Sequence, residues 1–230
     1  ADLAIEGEIA VKPAKEVAGF AGYRFGLADE KIPPVRAALD NLPTTAKDGR
    51  ADISITLPPL AKTARPLDAD VILKLRETGG RTIERTVTIP IASTEARIGI
   101  KPLFANDQIG NGELAAFNAI LVTPEGKAQT AALKWELLRL EQRWQWYSRD
   151  GHTNYEAVTH TRRIASGTTN AAAETPAKIE AKTDWGRYRL EVHDPDTRLT
   201  TRYRFFAGWG AQDADDLGNR PDRVQLKLEG

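Results

Sequence analysis

The chain has 230 residues, with 32 basic and 32 acidic side chains and no cysteine or methionine. That length allows one large domain or two of about 110 residues, each able to bury a core without covalent staples. The even charge balance leaves no global electrostatic case for nucleic acid, and the lack of cysteine removes disulfides, Cys-type zinc sites and thiol nucleophiles. No apolar run approaches the ~18 residues of a membrane helix, and no signal peptide is visible. A chain that opens on Ala1 and holds no methionine reads as an excised piece, or a processed form, of a longer parent.

From the N-terminus, Leu3, Ile5, Ile9 and Val11 share one parity against Glu6 and Glu8, the pattern of a half-buried strand ended by Pro13. Residues 19–27 (GFAGYRFGL) alternate again, with Tyr23, Phe25 and Leu27 on one face. The Pro-punctuated block from Ile32 to Pro43 reads as a loop or irregular edge. Ile53, Ile55 and Leu57 predict a strand closed by Pro58-Pro59, and Val71, Leu73 and Leu75 predict another. Gly79-Gly80 predicts a two-residue hairpin turn, after which Ile83, Val87, Ile89 and Ile91 return. Five or more short strands at regular spacing, without a convincing helix, are the pattern of a sandwich.

After residues 92–95 the pattern starts over, which places a domain boundary near residue 94. Ile98 and Ile100 lead into an Asn/Asp/Gly-rich turn, and Phe117, Ala119 and Leu121 form a strand. The stretch from Leu133 to Tyr155 follows and holds Trp135, Trp144, Trp146, Tyr147 and Tyr155, three of the five tryptophans and two of the five tyrosines. Read as a helix, Leu133, Leu137, Leu140, Trp144 and Tyr147 form an apolar stripe. Read as strand, Leu133, Trp135 and Leu137 share one parity, while Leu138, Leu140, Trp144 and Trp146 share the other. That phase change calls for a bulge or bend near 137–138. The Asp150-Gly151 turn and the alternation beyond it favour a long bulged hairpin, with Trp135 buried and Trp144 or Trp146 partly exposed. Residues 168–176 read as a loop, 185–192 and 200–208 as strands, 211–221 as an acidic linker, and 223–228 as the start of another strand.

Chemistry is hard to find. His152, Glu156 and His160 are spaced to share one strand face, a geometry a metal site could use, against the plainer reading of exposed polar positions. None of Ser54, Ser93, Ser148 or Ser166 lies in a G-x-S-x-G elbow, and no phosphate loop or dinucleotide fingerprint is present. Adjacent carboxylates such as Asp29-Glu30 and Asp215-Asp216 diverge on a strand. Arg139, Arg143, Arg162, Arg163, Arg202 and Arg204 interleave with aromatics. They suit cross-strand ion pairs and stems lying over rings, or a protein-contact surface.

Several segments carry a family resemblance. GYRFGLADEKIPPVRAALDNLPTT, GRADISITLPPL and RPLDADVILKLRETGGRTIERTVTIPI resemble one macroglobulin-like domain of the bacterial alpha-2-macroglobulins. RIGIKPLF, LKWELLRLEQRWQWYSRDGHTNYE, TRRIASGT, DWGRYRLEV and FFAGW resemble the domain after it, and PDRVQLKLEG resembles the first strand of the bait-region domain. The resemblance covers essentially the whole chain and points to about the fifth and sixth such domains. It implies an all-β chain of two consecutive antiparallel β-sandwiches (macroglobulin-like, fibronectin-III-like) at residues 1–93 and 94–210. Residues 211–230 are then a linker and the first strand of a following domain.

By the same resemblance the parent is a periplasmic inhibitor of endopeptidases, free or membrane-anchored outside this segment. A protease cuts the bait region, the molecule rearranges, and a thioester in a separate domain captures the attacker. That thioester needs a cysteine, so the reactive chemistry lies elsewhere and this segment is scaffold. No catalytic residue, cofactor or metal is carried over. The implied partners are neighbouring domains of the parent and, through it, host or competitor proteases, with no nucleic acid and no membrane span. Trp144, Trp146, Tyr147, Arg139 and Arg143 are the candidates for contact between domains. Two alternatives stay open: a sandwich that binds carbohydrate or peptide on the Trp144/Trp146 face, and an enzyme with an unrecognised site.

Overall fold

The computed structural model of the chain describes residues 3–76, 79–149 and 152–208, with 143–149 and 152–157 described by backbone alone. The described residues form fourteen strands and no helix. The first five are β1 (Ile5–Pro13), β2 (Arg24–Phe25), β3 (Val35–Ala38), β4 (Leu67–Arg76) and β5 (Thr82–Pro90). Next come β6 (Arg97–Pro102), β7 (Gln108–Ile109), β8 (Leu114–Val122), β9 (Ala128–Gln129) and β10 (Ala131–Arg149). The last four are β11 (His152–Ala171), β12 (Ala177–Lys182), β13 (Gly186–His193) and β14 (Thr200–Ala207). Contacts divide the chain into two units: residues 1–21 with 29–95, and residues 22–28 with the chain from Ala96 onward.

The first unit is built on an antiparallel sheet in the order β3-β1-β4-β5. Register sets Ile9 opposite Val71 and Val11 opposite Ala69, so the alternation in both strands places their apolar side chains on one face. Ile9, Val11, Leu67, Ala69 and Val71 are buried there. The strand expected at Ile53–Leu57 joins no ladder, and Pro58-Pro59 next to it lacks two consecutive N–H donors. Ile55 and Leu60 nevertheless pack on the sheet's apolar face with Leu39 and Ile91, so irregular chain supplies the covering layer. The turn at Gly79-Gly80 is longer than two residues, because pairing closes at Arg76↔Thr82. Gly80 takes φ of 82°, which favours glycine.

The second unit is a sandwich of two sheets, β11-β10-β13-β14-β7 and β12-β8-β6-β2, with β9 added on β8. Every pairing is antiparallel except β14 with β7 and a bridge between Leu27 and Arg202. Leu133, Leu137, Tyr188, Leu190, Val192, Tyr203 and Phe205 from one sheet meet Ile98, Ile100, Phe117, Ala119, Leu121 and Ile179 from the other. Phe205 stacks on Tyr188 at 5.4 Å between ring centroids and meets Phe117 edge-on at 5.4 Å. Such pairs add about 0.5–1.5 kcal/mol each beyond the area they bury. The two phenols keep their polar ends satisfied: Tyr188 donates to the Asp184 carbonyl at 3.0 Å, and Tyr203 donates to the Asp107 carboxylate. Burial, and then the acceptor at Asp107, push the Tyr203 hydroxyl well above the usual phenol range.

The bounds read from the sequence, residues 1–93 and 94–210, differ from the division by contacts at one segment. Residues 22–28 belong to the second unit. Of the strand expected over 19–27, only Arg24–Phe25 is laddered, and it pairs with β6, Phe25 opposite Gly99. Phe25 is buried, and a Cβ on Gly99 would come within 2.9 Å of its ring. The segment then reaches the other sheet. Arg202 N donates to the Gly26 carbonyl at 3.0 Å, and Ala28 N donates to the Arg202 carbonyl at 3.2 Å. The alternation of Tyr23, Phe25 and Leu27 encodes a strand but not its partner. A second difference lies at 168–176, where β11 runs on to Ala171 and shortens the expected loop.

Two predictions follow from this packing. Phe25→Ala should cost the second unit about 3–5 kcal/mol. All five tryptophans lie at or beyond Trp135, so urea unfolding followed by tryptophan fluorescence reads that unit alone; an unshifted midpoint would show that β2 is dispensable. In the first unit, hydrogen bonds from Lys12 and then Thr88 hold the Asp70 carboxyl below the usual range. Its stabilisation is present above the unfolded carboxylate pKa and lost as pH falls through the lowered folded pKa. Asp70→Asn should therefore melt below wild type at pH 7, and the two melting curves should converge as pH falls below the ordinary carboxylate range.

Candidate functional site

The long hairpin is the feature of the second unit that the sandwich does not need. β10 has 19 residues and β11 has 20. β10 pairs with β13 only from Lys134↔His193 to Leu140↔Arg187. From Glu141↔His160 to Arg149↔His152 the nine remaining register pairs join β10 to β11 and to no third described strand. At ~3.4 Å per residue this two-stranded ribbon is roughly 30 Å long. A ribbon of two strands is marginal in water unless a face is packed. Its sequence holds Trp144, Trp146, Tyr147 and Tyr155, the residue types that anchor interfaces.

The phase change in this stretch has a different origin from the one its sequence suggests. β10 runs past β13 without a register shift, so its alternation continues unbroken from Lys134 to Leu140. Leu133, Trp135, Leu137 and Arg139 point to the core side, and Lys134, Glu136, Leu138 and Leu140 to the outer side. The irregularity lies at the expected level, between Leu137 and Leu138, but on the partner strand. Leu137 faces Ala165 and Leu138 faces Arg163, so Ile164 of β11 is the extra residue. The helical stripe is thereby set aside, and the apolar residues that changed phase mark an outer face that is partly apolar.

Trp135 is half-buried, where the sequence predicts a buried ring. It lies opposite Gly167 on the edge strand β11, and a Cβ there would come within 3.1 Å of the indole. The ring covers the glycine, and an edge strand without a side chain at that point leaves part of the indole in solvent. Arg139 crosses Gly186, where a Cβ would lie 3.0 Å from its Nε. Arg143, Trp144, Trp146 and Tyr147 occupy ladder positions opposite Val158, Ala157, Tyr155 and Asn154. Their side chains, and the expected exposure of Trp144 or Trp146, lie outside the described residues.

Three of the interleaved arginines sit beside carboxylates across strands. Arg162 Nε lies 3.3 Å from Glu141 Oε1, Arg163 Nη1 lies 3.0 Å from Glu136 Oε1, and Arg202 Nε lies 3.1 Å from Glu191 Oε1. The two on the hairpin are exposed at the arginine and worth up to about 1 kcal/mol each, so they set side-chain direction more than stability, whereas the atoms that meet in the Arg202–Glu191 pair are buried. His160 is exposed on β11, and the side chains of His152 and Glu156 lie outside the described residues. Among the described residues no three His, Cys, Asp or Glu side chains gather as a metal site would need. No described helix is long and apolar enough to cross a membrane. Sequence reasoning missed the grouping of Leu140 and Phe206 with Arg187 and Arg204 on the outer face. The phase switch at Leu138 was the signal that could have found it.

Comparison with known proteins gives these two units a context. Residues 1–92 match the bacterial alpha-2-macroglobulin MG5 domain, and residues 99–209 match bacterial macroglobulin domain 6. The alpha-2-macroglobulin of Xylella fastidiosa (strain 9a5c) is 34% identical over 213 residues, which cover 90% of this chain and 13% of that protein. The cryo-EM structure of Escherichia coli alpha-2-macroglobulin in its native conformation aligns with a TM-score of 0.68 at 26% identity. That alignment covers 100% of this chain and 15% of the other. Escherichia coli alpha-2-macroglobulin activated by porcine elastase aligns with a TM-score of 0.64 at 26% identity, covering 90% of this chain and 18% of that one. The chain thus spans under a fifth of the length of each of these relatives.

The two faces of β10 predict opposite outcomes for neighbouring leucines. Leu137→Ala, at a fully buried position, should cost about 2–5 kcal/mol in chemical denaturation. Leu138→Ser, on the outer face, should cost less than about 1 kcal/mol. Equal losses would show that β10 changes phase between them.

Proposed function

Because the chain belongs to the bacterial alpha-2-macroglobulin family, as its fifth and sixth macroglobulin domains, we propose that it is the scaffold segment of a periplasmic protein that traps endopeptidases. The whole protein's activity follows the family resemblance: cleavage of a bait region, rearrangement, and covalent capture by a thioester. This chain has no cysteine to form that thioester. Its own contribution is mechanical. The sandwich core gives a body that keeps its shape, and the hairpin gives that body an arm.

The observation that carries this reading is the ribbon beyond Leu140↔Arg187, nine pairs long and laddered to no third described strand. In this proposal Trp144, Trp146 and Tyr147, with Arg143 and Arg139, meet neighbouring domains of the parent. Cleavage elsewhere is transmitted when those contacts exchange. Residues 1–93 and 94–210 are the two domain-sized halves, apart from the exchanged Gly22–Ala28, and 211–230 lead into the next domain. No step of the capture chemistry falls on a residue of this chain, which acts as a non-enzymatic part of an inhibitor.

The chain mixed with pancreatic elastase should neither slow cleavage of a protein substrate nor form an adduct that survives denaturing electrophoresis. Covalent capture would overturn the scaffold reading. Calorimetric titration with oligosaccharides should give no saturable heat, and saturable binding lost in Trp146→Ala would restore the binding-module alternative.

A further inference from the structure

The two edges of the first unit's sheet are built differently. β3 is four residues long and follows Pro33-Pro34, so it offers little to a further strand. β5 is nine residues long and pairs with β4 in unbroken register from Asp68↔Pro90 to Arg76↔Thr82. It has no bulge and no lysine, and its one proline stands at the last position. Eight of its nine residues are exposed, Ile83 being the half-buried exception. Among the described residues β4 is the only strand laddered to it.

Register also fixes which backbone groups face away from the sheet. Ile91 N donates to the Leu67 carbonyl at 2.9 Å, just past the end of β5. In an antiparallel ladder both polar groups of a residue point to the same side, and the side alternates along the strand. Ile83, Arg85, Val87 and Ile89 therefore bond to β4, while Thr82, Glu84, Thr86 and Thr88 turn their N–H and C=O outward. Side chains follow the same alternation. Val87 and Ile89 stand opposite the buried Val71 and Ala69, on the core face, yet they are 52% and 45% exposed. The core face thus continues to the rim of the sheet and is left open there.

We propose that β5 pairs with β5 of a second copy of this chain, antiparallel about a two-fold axis through Thr86. The strand's own sequence selects this occupant and this register. With Thr86 opposite its copy, Glu84 faces Thr88, Arg85 faces Val87 and Ile83 faces Ile89, so no like charges are opposed. Three outward pairs exchange two hydrogen bonds each, and Pro90 falls at the ends, opposite Thr82. The exposed Ile89 of one copy closes on Ile83 of the other. Neighbouring registers are worse. Centring on Glu84 or Arg85 sets a charge against its copy, and centring on Val87 or Thr88 sets Pro90, which has no N–H, against Glu84 or Thr86. Centring on Thr82 or Ile83 leaves half the strand without a mate. Arg85 Nη1 donates to the Glu84 carbonyl at 3.2 Å, and that oxygen has a second lone pair for the added strand. The contact is isologous, so it closes at two copies and builds no filament. A single strand pair is a small interface, in the range of transient complexes. The proposal uses no residue of the hairpin and does not rest on the scaffold reading.

The test is sedimentation equilibrium of the 230-residue chain at loading concentrations from roughly 5 to 500 μM. The mean mass should rise reversibly from that of one chain toward that of two, and no further. Thr86→Pro removes the central donor where β4 does not use it. It should keep the circular dichroism of the wild type and weaken dimerisation by at least about tenfold. Val87→Lys sets a second cation against Arg85 of the other copy, and Val87→Glu sets a carboxylate there. The lysine variant should therefore dimerise several-fold more weakly than the glutamate variant, and this pair carries the test if the proline variant misfolds. A chain that stays monomeric at the highest concentration overturns the proposal. So does a dimer left intact by a well-folded Thr86→Pro, equal dimerisation of the two Val87 variants, or growth beyond two copies.

Discussion

The second unit depends on the packing of three rings. Phe205 of β14 stacks on Tyr188 of β13 within one sheet and meets Phe117 of β8 across the gap to the other. Those contacts fix which parity of β13 and β14 faces inward. The inward parity fixes the outward one, and with it the row of arginines and Glu191 on the solvent side. Registry with β13 then imposes the same division on β10, so that Leu137 goes in and Leu138 goes out. A strand has only two faces. Once aromatic packing has claimed one of them, the rest of the sheet's chemistry is assigned to the other.

Much of this was legible in the sequence because it is local. The alternation in GRYRLEVH and TTRYRFFA is strong enough to give β13 and β14 their faces, and the Asp-Gly pair in the sequence at 150–151 predicts that two long strands form a hairpin. What the sequence left open is what depends on partners far along the chain. Tyr23, Phe25 and Leu27 alternate correctly, yet nothing near them tells that Gly99 is the residue Phe25 covers. Ile53, Ile55 and Leu57 alternate as well, but next to Pro58-Pro59 they serve as a covering layer without a ladder. The bulge is the most instructive case. Its level was readable from the leucines of β10, while the extra residue, Ile164, sits on the opposite strand, where the sequence shows nothing unusual. The candidate site was legible as a concentration of aromatics, since composition alone reveals it, whereas the grouping of Leu140 and Phe206 with Arg187 and Arg204 required strands from distant segments to be placed side by side.

The exposed ion pairs on the hairpin orient long side chains without adding much stability. Buried polar atoms are handled differently. The Tyr203 hydroxyl and the Asp107 carboxylate hold each other at the rim of the core, and their value lies in fixing the loop before β7 against the end of β14. A packed aromatic core and a charged outer surface are thus built from the same sheet, one on each side.

The exchange of Gly22–Ala28 changes what the division of the chain means. Each unit is made of two pieces of chain, residues 1–21 with 29–95 and residues 22–28 with the chain from Ala96 onward, so the two are interleaved in sequence. During synthesis the segment around Phe25 leaves the ribosome long before β6 and β14 exist to receive it. The first unit can close on its own contacts while that segment waits, and the second unit can finish only afterwards. Assembly therefore has an order written into the connectivity, and the cost of closing the intervening loop is reduced because a folded body, not a free coil, spans it. A cut near residue 95 would leave the second unit's edge without the strand that Arg24–Phe25 supplies, so the second unit is complete only when both pieces are present.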